Sequence, residues 1–75
     1  MIEIYGIPTC TYCKRATEFC EAAGLEYKYT CLVKEPDEYT KLEEKIGRFR
    51  SVPQIIVDGT HVGGYDSFIE AAKNG

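Results

Sequence analysis

Residues 2–30, IEIYGIPTCTYCKRATEFCEAAGLEYKYT, decide the fold. Ile2-Glu3-Ile4-Tyr5 alternates apolar and polar residues and stops at Gly6, the pattern of a short strand. Gly6-Ile7-Pro8-Thr9 is a loop punctuated by glycine and proline. From Thr11 to Ala23 neither residue occurs, and Cys13, Ala16, Thr17, Cys20 and Ala23 recur on one helical face. Gly24 is a natural stop for that helix. Glu26-Tyr27-Lys28-Tyr29-Thr30 alternates again and reads as a second strand. Two strands joined across a helix should lie parallel, with a right-handed crossover.

The rest of the chain completes one sheet. Pro36 can open a second helix running to about Ile46, with Tyr39, Leu42, Glu43 and Ile46 at helical spacing and Gly47 closing it. Gln54-Ile55-Ile56-Val57 is a β-branched run suited to a mostly buried strand. Asp58-Gly59 is a strong hairpin signal, with Thr60-His61-Val62 returning as its partner. After Gly63-Gly64, a last helix runs from about Asp66 to Lys73 with Phe68, Ile69 and Ala72 inward. The expectation for residues 1–75 is a single α/β domain in the order β-α-β-α-β-β-α, a four-stranded mixed sheet flanked by three helices.

Composition narrows the function. With 75 residues there is room for one small core. A net charge of −3 argues against a nucleic-acid binder, which needs a basic face. No apolar run approaches the roughly 20 residues of a membrane span. Met1-Ile2-Glu3-Ile4 has neither the basic nor the apolar region of a signal peptide. The expectation is a soluble, cytoplasmic protein with no nucleic-acid or membrane partner.

Cys10, Cys13, Cys20 and Cys31 all fall in the first 31 residues. Bridges that staple a small secreted fold would be spread more widely, and a reducing compartment favours redox or metal chemistry for a C-x-x-C pair. Cys10-Thr11-Tyr12-Cys13 stands where a loop feeds a helix, and free N–H groups and the macrodipole at a helix start favour a thiolate. Cys10 reads as the exposed nucleophile. Cys13, a turn deeper and more shielded, reads as the resolving thiol. The rival is a metal site, but zinc needs four ligands, usually from two pairs, and the second pair is missing. Cys20 reads as a small core hydrophobe, Cys31 is open, and His61 reads as a hairpin surface residue.

Two more segments bear on ligand binding. Ser51-Val52-Pro53 is either a plain loop or the site of a cis X-Pro bond that would turn the Val52 backbone toward a peptide-like ligand. Gly63-Gly64-Tyr65-Asp66 is either a tight turn with Asp66 as N-cap or a place where a carboxylate meets free N–H groups at a helix start.

Taken in order, Cys10-Thr11-Tyr12-Cys13, Ser51-Val52-Pro53-Gln54, Asp58-Gly59-Thr60-His61 and Val62-Gly63-Gly64-Tyr65-Asp66 resemble a glutaredoxin of the dithiol type, within the thioredoxin-fold superfamily. The resemblance spans nearly the whole chain. It implies a thioredoxin-like fold and a glutathione-dependent thiol–disulfide oxidoreductase acting on protein disulfides and glutathione mixed disulfides. By the same resemblance, Cys10 attacks and Cys13 resolves. Glutathione lies across Tyr12, Val52, Pro53, Gly64, Tyr65 and Asp66, with Val52 pairing its cysteinyl unit and Tyr65 and Asp66 its γ-glutamyl end. Arg50, with Arg48 as alternative, is the candidate for the glycyl carboxylate. Glutathione is then the reducing co-substrate, and no tightly bound cofactor or metal is expected. The implied partners are disulfide-containing proteins, ribonucleotide reductase among the family-level candidates, and a monomer is expected. The chain departs from the family's usual pattern at Thr11, where Pro is usual, and at Ile7, where Lys or Arg is frequent. The alternatives are a zinc or [2Fe-2S] module, a catalytically idle interaction subunit, and a donor reduced by thioredoxin reductase.

Overall fold

The computed structural model describes residues 1–74. The elements are β1 (Ile2–Gly6), α1 (Thr11–Ala22), β2 (Tyr27–Cys31), α2 (Pro36–Ile46), β3 (Gln54–Val57), β4 (Thr60–Gly63) and α3 (Tyr65–Asn74). The expected order holds throughout. Boundaries differ by a residue or so: Ala23 caps α1 and is exposed rather than inward, β2 begins at Tyr27 instead of Glu26, and Ala72 on α3 is exposed rather than inward.

The sheet order is β2-β1-β3-β4. β1 and β2 are parallel, with Gly6 beside Cys31. β3 runs antiparallel to β1, with Tyr5 beside Gln54, and β4 runs antiparallel to β3. Asp58 and Gly59 both have positive φ, 49° and 84°, the geometry that a two-residue hairpin turn with native twist requires.

Alternation along the strands splits the core in two. Ile2, Ile4 and Ile55 meet Ala16 and Cys20 of α1 and Phe68 of α3 on one face. Tyr5, Ile56 and Leu32 meet Leu42 of α2 on the other. Cys20 is fully buried, in line with its reading as a small hydrophobe. Phe19, which the sequence reading passed over, packs edge-on to Phe68 at 5.6 Å and joins α1 to α3. On α2 only Leu42 is buried; Tyr39 is exposed and its ring lies tilted against Phe49, with centres 4.9 Å apart. This topology brings the ends of β1 and β2, the start of β3 and the N-termini of α1 and α3 to one end of the molecule.

Candidate active site

The turn after β1 delivers Cys10 to the cap of α1. Cys10 has extended backbone angles, and its carbonyl accepts the Lys14 N–H at 3.3 Å, which starts the helix. Its Sγ accepts the Cys13 N–H at 3.4 Å and, as a thiol, donates to the Val52 carbonyl at 3.5 Å. Thus the sulfur occupies the place usually held by a Ser or Asp oxygen, at the end of the helix that carries partial positive charge. Cys10 is partly exposed and Cys13 is 2% exposed. All four cysteines are free thiols.

Cys13 is held protonated. Burial first, then the hydrogen bond and charge of Cys10, push its thiol from 9.0 up to about 12. The shielding comes from Gly6: a Cβ there would stand 3.0 Å from the Cys13 Cβ and inside its Sγ. Gly6 had the appearance of loop punctuation. Its actual role is to make room for the second thiol. The pair is therefore asymmetric in access. Tyr29 closes the β2 side; burial raises its hydroxyl pKa, with Cys13, Cys31 and Cys10 adding to the shift.

Beside Cys10 opens a cleft of about 330 Å³ lined by Tyr12, Ser51, Val52, Pro53, Gly64, Tyr65, Asp66 and Ser67. Six of the seven candidate ligand-binding residues come together in it. The seventh, Arg50, is exposed and not part of the lining, and neither is Arg48. The Val52–Pro53 peptide is cis. Across the cleft floor, a Cβ on Gly64 would stand 3.6 Å from the Pro53 carbonyl oxygen. Gly63 has φ of 112°, a conformation that favours glycine. The Gly64 carbonyl accepts the Phe68 N–H at 3.0 Å, so Gly64 occupies the cap position of α3 and Asp66 lies in its first turn, not at the cap. The rings of Tyr12 and Tyr65 lie 5.5 Å apart, and the Arg15 guanidinium sits 5.4 Å from the Tyr12 ring centre.

A second recess, of about 350 Å³, lies on the other side of Cys10 among Ile7, Pro8, Lys14 and Tyr29. A wider cleft of about 640 Å³ lies at the far end of the sheet, around Leu25, Val57 and Phe68, away from both redox thiols. Among the described residues, no three His, Cys, Asp or Glu side chains converge as a metal site would require. His61 is an exposed residue of the hairpin, as expected, and its ring also bonds the buried Gln54 side chain at 2.8 Å. The sequence offered no sign of that contact beyond the positions of the two residues in neighbouring motifs.

A cysteine pair at the start of the first helix, beside a cis-proline loop on a mixed four-stranded sheet, defines a thioredoxin-fold thiol–disulfide oxidoreductase. Comparison with known proteins narrows the class. The family model for glutaredoxin matches residues 2–62. Glutaredoxin 1 of Salmonella typhimurium is 38% identical over 76 residues, covering 93% of this chain and 87% of that one. Glutaredoxin 1 of Escherichia coli is 37% identical, covering 93% and 89%. The solved structure of reduced Escherichia coli glutaredoxin superposes with a TM-score of 0.83 at 32% identity, over 97% of this chain and 93% of that one. A buckwheat glutaredoxin solved as its glutathione complex gives 0.81 at 28% identity, over 97% and 68%. The chain belongs to the glutaredoxin family.

Proposed function

We propose that this protein uses glutathione to reduce glutathione mixed disulfides and protein disulfides, with Cys10 as nucleophile and Cys13 as resolving thiol. One observation carries the reading: a partly exposed Cys10 at the cap of α1, its sulfur in contact with the Val52 carbonyl at the mouth of a peptide-sized cleft. In this reading the cysteinyl backbone of glutathione pairs with Val52 and its γ-glutamyl end meets Tyr65, Asp66 and the start of α3. Arg50, two residues before Val52 and outside the cleft lining, stays the candidate for the glycyl carboxylate. The glutathione complex of the buckwheat relative is consistent with such an occupant.

With a glutathione mixed disulfide, the Cys10 thiolate attacks the glutathione sulfur. The S–S bond to the substrate breaks, and the substrate leaves as a thiolate that takes a proton from water. A second glutathione thiolate attacks the same sulfur, so glutathione disulfide forms and the Cys10 thiolate returns. With a protein disulfide, Cys10 first forms a mixed disulfide and releases one substrate thiolate. Cys13 then loses its proton and attacks the Cys10 sulfur, which releases the second. Two glutathione molecules reduce the Cys10–Cys13 bond, supplying the two electrons. The structure supports this order. While Cys10 is a thiolate, its charge and hydrogen bond help keep Cys13 protonated. Once Cys10 is bound in a neutral disulfide, both effects vanish and Cys13 ionises more readily. The reading also places the work in a glutathione-rich, reducing compartment.

The test is turnover of a small glutathione mixed disulfide, coupled to NADPH and glutathione reductase. Cys10→Ser is expected to abolish turnover, whereas Cys13→Ser retains it and loses only protein-disulfide reduction. Activity surviving Cys10→Ser would sink the assignment of roles. A parent protein that is inactive with glutathione but reduced by thioredoxin reductase would sink the choice of reductant.

A further inference from the structure

Gln54 follows the cis-proline and begins β3. The residue is 7% exposed, and each polar group of its side chain has a partner. The amide NH₂ (Nε2) donates to the Ser51 carbonyl at 2.8 Å, bracketing Val52 and Pro53 from behind. Its Oε1 faces the His61 Nε2, also at 2.8 Å. The directions of both bonds are fixed by chemistry. A carbonyl oxygen only accepts, so the amide group facing Ser51 must be the NH₂. The group facing His61 is then the amide oxygen, which also only accepts. His61 must therefore donate, and its Nε2 carries the proton. The chain of donors runs one way, from His61 on β4 through Gln54 on β3 to Ser51.

We infer that Gln54 and His61 are a positioning pair: His61 orients the Gln54 amide, and Gln54 holds the Ser51–Val52–Pro53 backbone at the height that the cysteinyl unit of glutathione requires. The inference rests on the glutathione reading of the cleft. Neither side chain lines that cleft, so neither touches the ligand. They act through Val52, whose carbonyl lies 3.5 Å from the Cys10 sulfur. A buried amide left without its donor partner would be free to turn, and the loop it braces would sample other heights. The effect belongs in the affinity for glutathione rather than in the chemistry at sulfur.

The test uses the coupled glutathione assay at a temperature where every variant is folded, with His61→Phe, His61→Gln and Gln54→Glu. Phe keeps the bulk of the ring and removes the donor. Gln restores a donor. Glu keeps the shape of Gln54 but carries no N–H for Ser51 and repels its carbonyl. His61→Phe should raise the glutathione KM about threefold and Gln54→Glu about tenfold, the range expected for one lost hydrogen bond and for a broken one with a charge left behind. kcat should stay within about twofold, and His61→Gln should recover at least half of the lost affinity. Ring ¹⁵N shifts of His61 in the parent should report the Nε2–H tautomer. The positioning role is overturned by an unchanged KM in His61→Phe, by equal losses in kcat and kcat/KM, or by an Nδ1–H tautomer. A parent protein with no glutathione turnover overturns both this inference and the reading it rests on, whereas a parent that turns over beside variants of unchanged KM overturns this inference alone.

Discussion

Gly6 and Cys13 set the behaviour of the redox pair at the scale of single residues. A methyl group at position 6 would overlap the Cys13 sulfur, so Gly6→Ala must push Cys13 off its seat. The expected cost is about 1–3 kcal/mol, typical of overpacking in a closed core. Denaturant melts measure that cost, and protein-disulfide reduction should fall further than mixed-disulfide reduction, because in the proposed reaction only the former needs Cys13 in place. Protonation gives a second prediction. Cys13 titrates near 12 in the folded protein against 9.0 ordinarily, so the native state holds its proton longer than the unfolded chain does. Its share of stability is complete below pH 9 and drains away as pH climbs from 9 to 12. Tyr5 adds to the fall between 10 and 12, since burial first, then the hydrogen bond to Glu3, raises it from 10.0 to about 12. Denaturation midpoints at pH 8, 9.5 and 10.5 should decline steadily, and Cys13→Ala should lessen the first part of the decline, the remainder belonging to Cys20, whose thiol is also raised from 9.0 by burial. A midpoint that holds level to pH 10.5 would contradict the buried protonated thiol.

Elements behave as their sequence periodicity foretold where burial is one-sided, and less so where contacts are few. α1 and α3 carry clear patterns because each presents one apolar face to a shared core of Ile4, Ala16, Cys20, Ile55 and Phe68, while β1 and β3 read as strands because both their faces are buried, Tyr5 and Ile56 facing the other core. The cap of α1 was readable for the same reason, since a loop, a cysteine and then a helix without Gly or Pro leave little other choice. Element ends were less readable: Ala23 and Ala72 sit at helical spacing, yet Ala23 lies at the cap where α1 has ended, and both are exposed. Side-chain bonds between motifs, such as Gln54 to His61, leave no periodic trace at all. α2 is the weak element. Its one fully buried side chain, Leu42, holds it on the Tyr5–Ile56 face, and Ile46, Phe49 and Val52 pack around that contact. Leu42→Ala should cost about 2–5 kcal/mol, a large part of the roughly 4–11 kcal/mol expected for a chain of this size. Val52 shares the cluster, so the glutathione KM should rise in the same variant while the cap of α1 and the reactivity of Cys10 toward iodoacetamide stay as they were. If Cys10 alkylation slowed in parallel with the loss of stability, α2 would be coupled to the whole fold rather than to one wall of the cleft.

For the whole molecule, charge is distributed unevenly around the reactive sulfur. The chain carries nine cations against twelve carboxylates. The segments that carry the thiol pair and supply the cleft lining, with the residues next to them in sequence (7–15, 48–53 and 63–67), reverse that balance: Lys14, Arg15, Arg48 and Arg50 stand against Asp66 alone, and all five are exposed. None of the four cations forms an ion pair among the described residues, where the pairs are the Met1 amino group with Asp58 and Lys41 with Glu38. Unpaired cations around a cleft focus the field on whatever enters it, while the acidic remainder repels anions from the rest of the surface. Glutathione carries one net negative charge at neutral pH and its disulfide carries two, so under the proposed function the arrangement would favour their arrival. The field reaches outward about 30 Å at 0.01 M ionic strength and about 8 Å at 0.15 M. Hence kcat/KM for an anionic glutathione mixed disulfide should drop on the order of three- to tenfold across that range, with most of the change in the second-order rate and little in kcat. Lys14→Gln with Arg48→Gln should flatten the salt dependence and leave Cys10 alkylation by neutral iodoacetamide unaltered at 0.15 M. A rate indifferent to salt in the parent protein would mean that the cations are spaced too widely to act together, and that capture depends on the cleft alone.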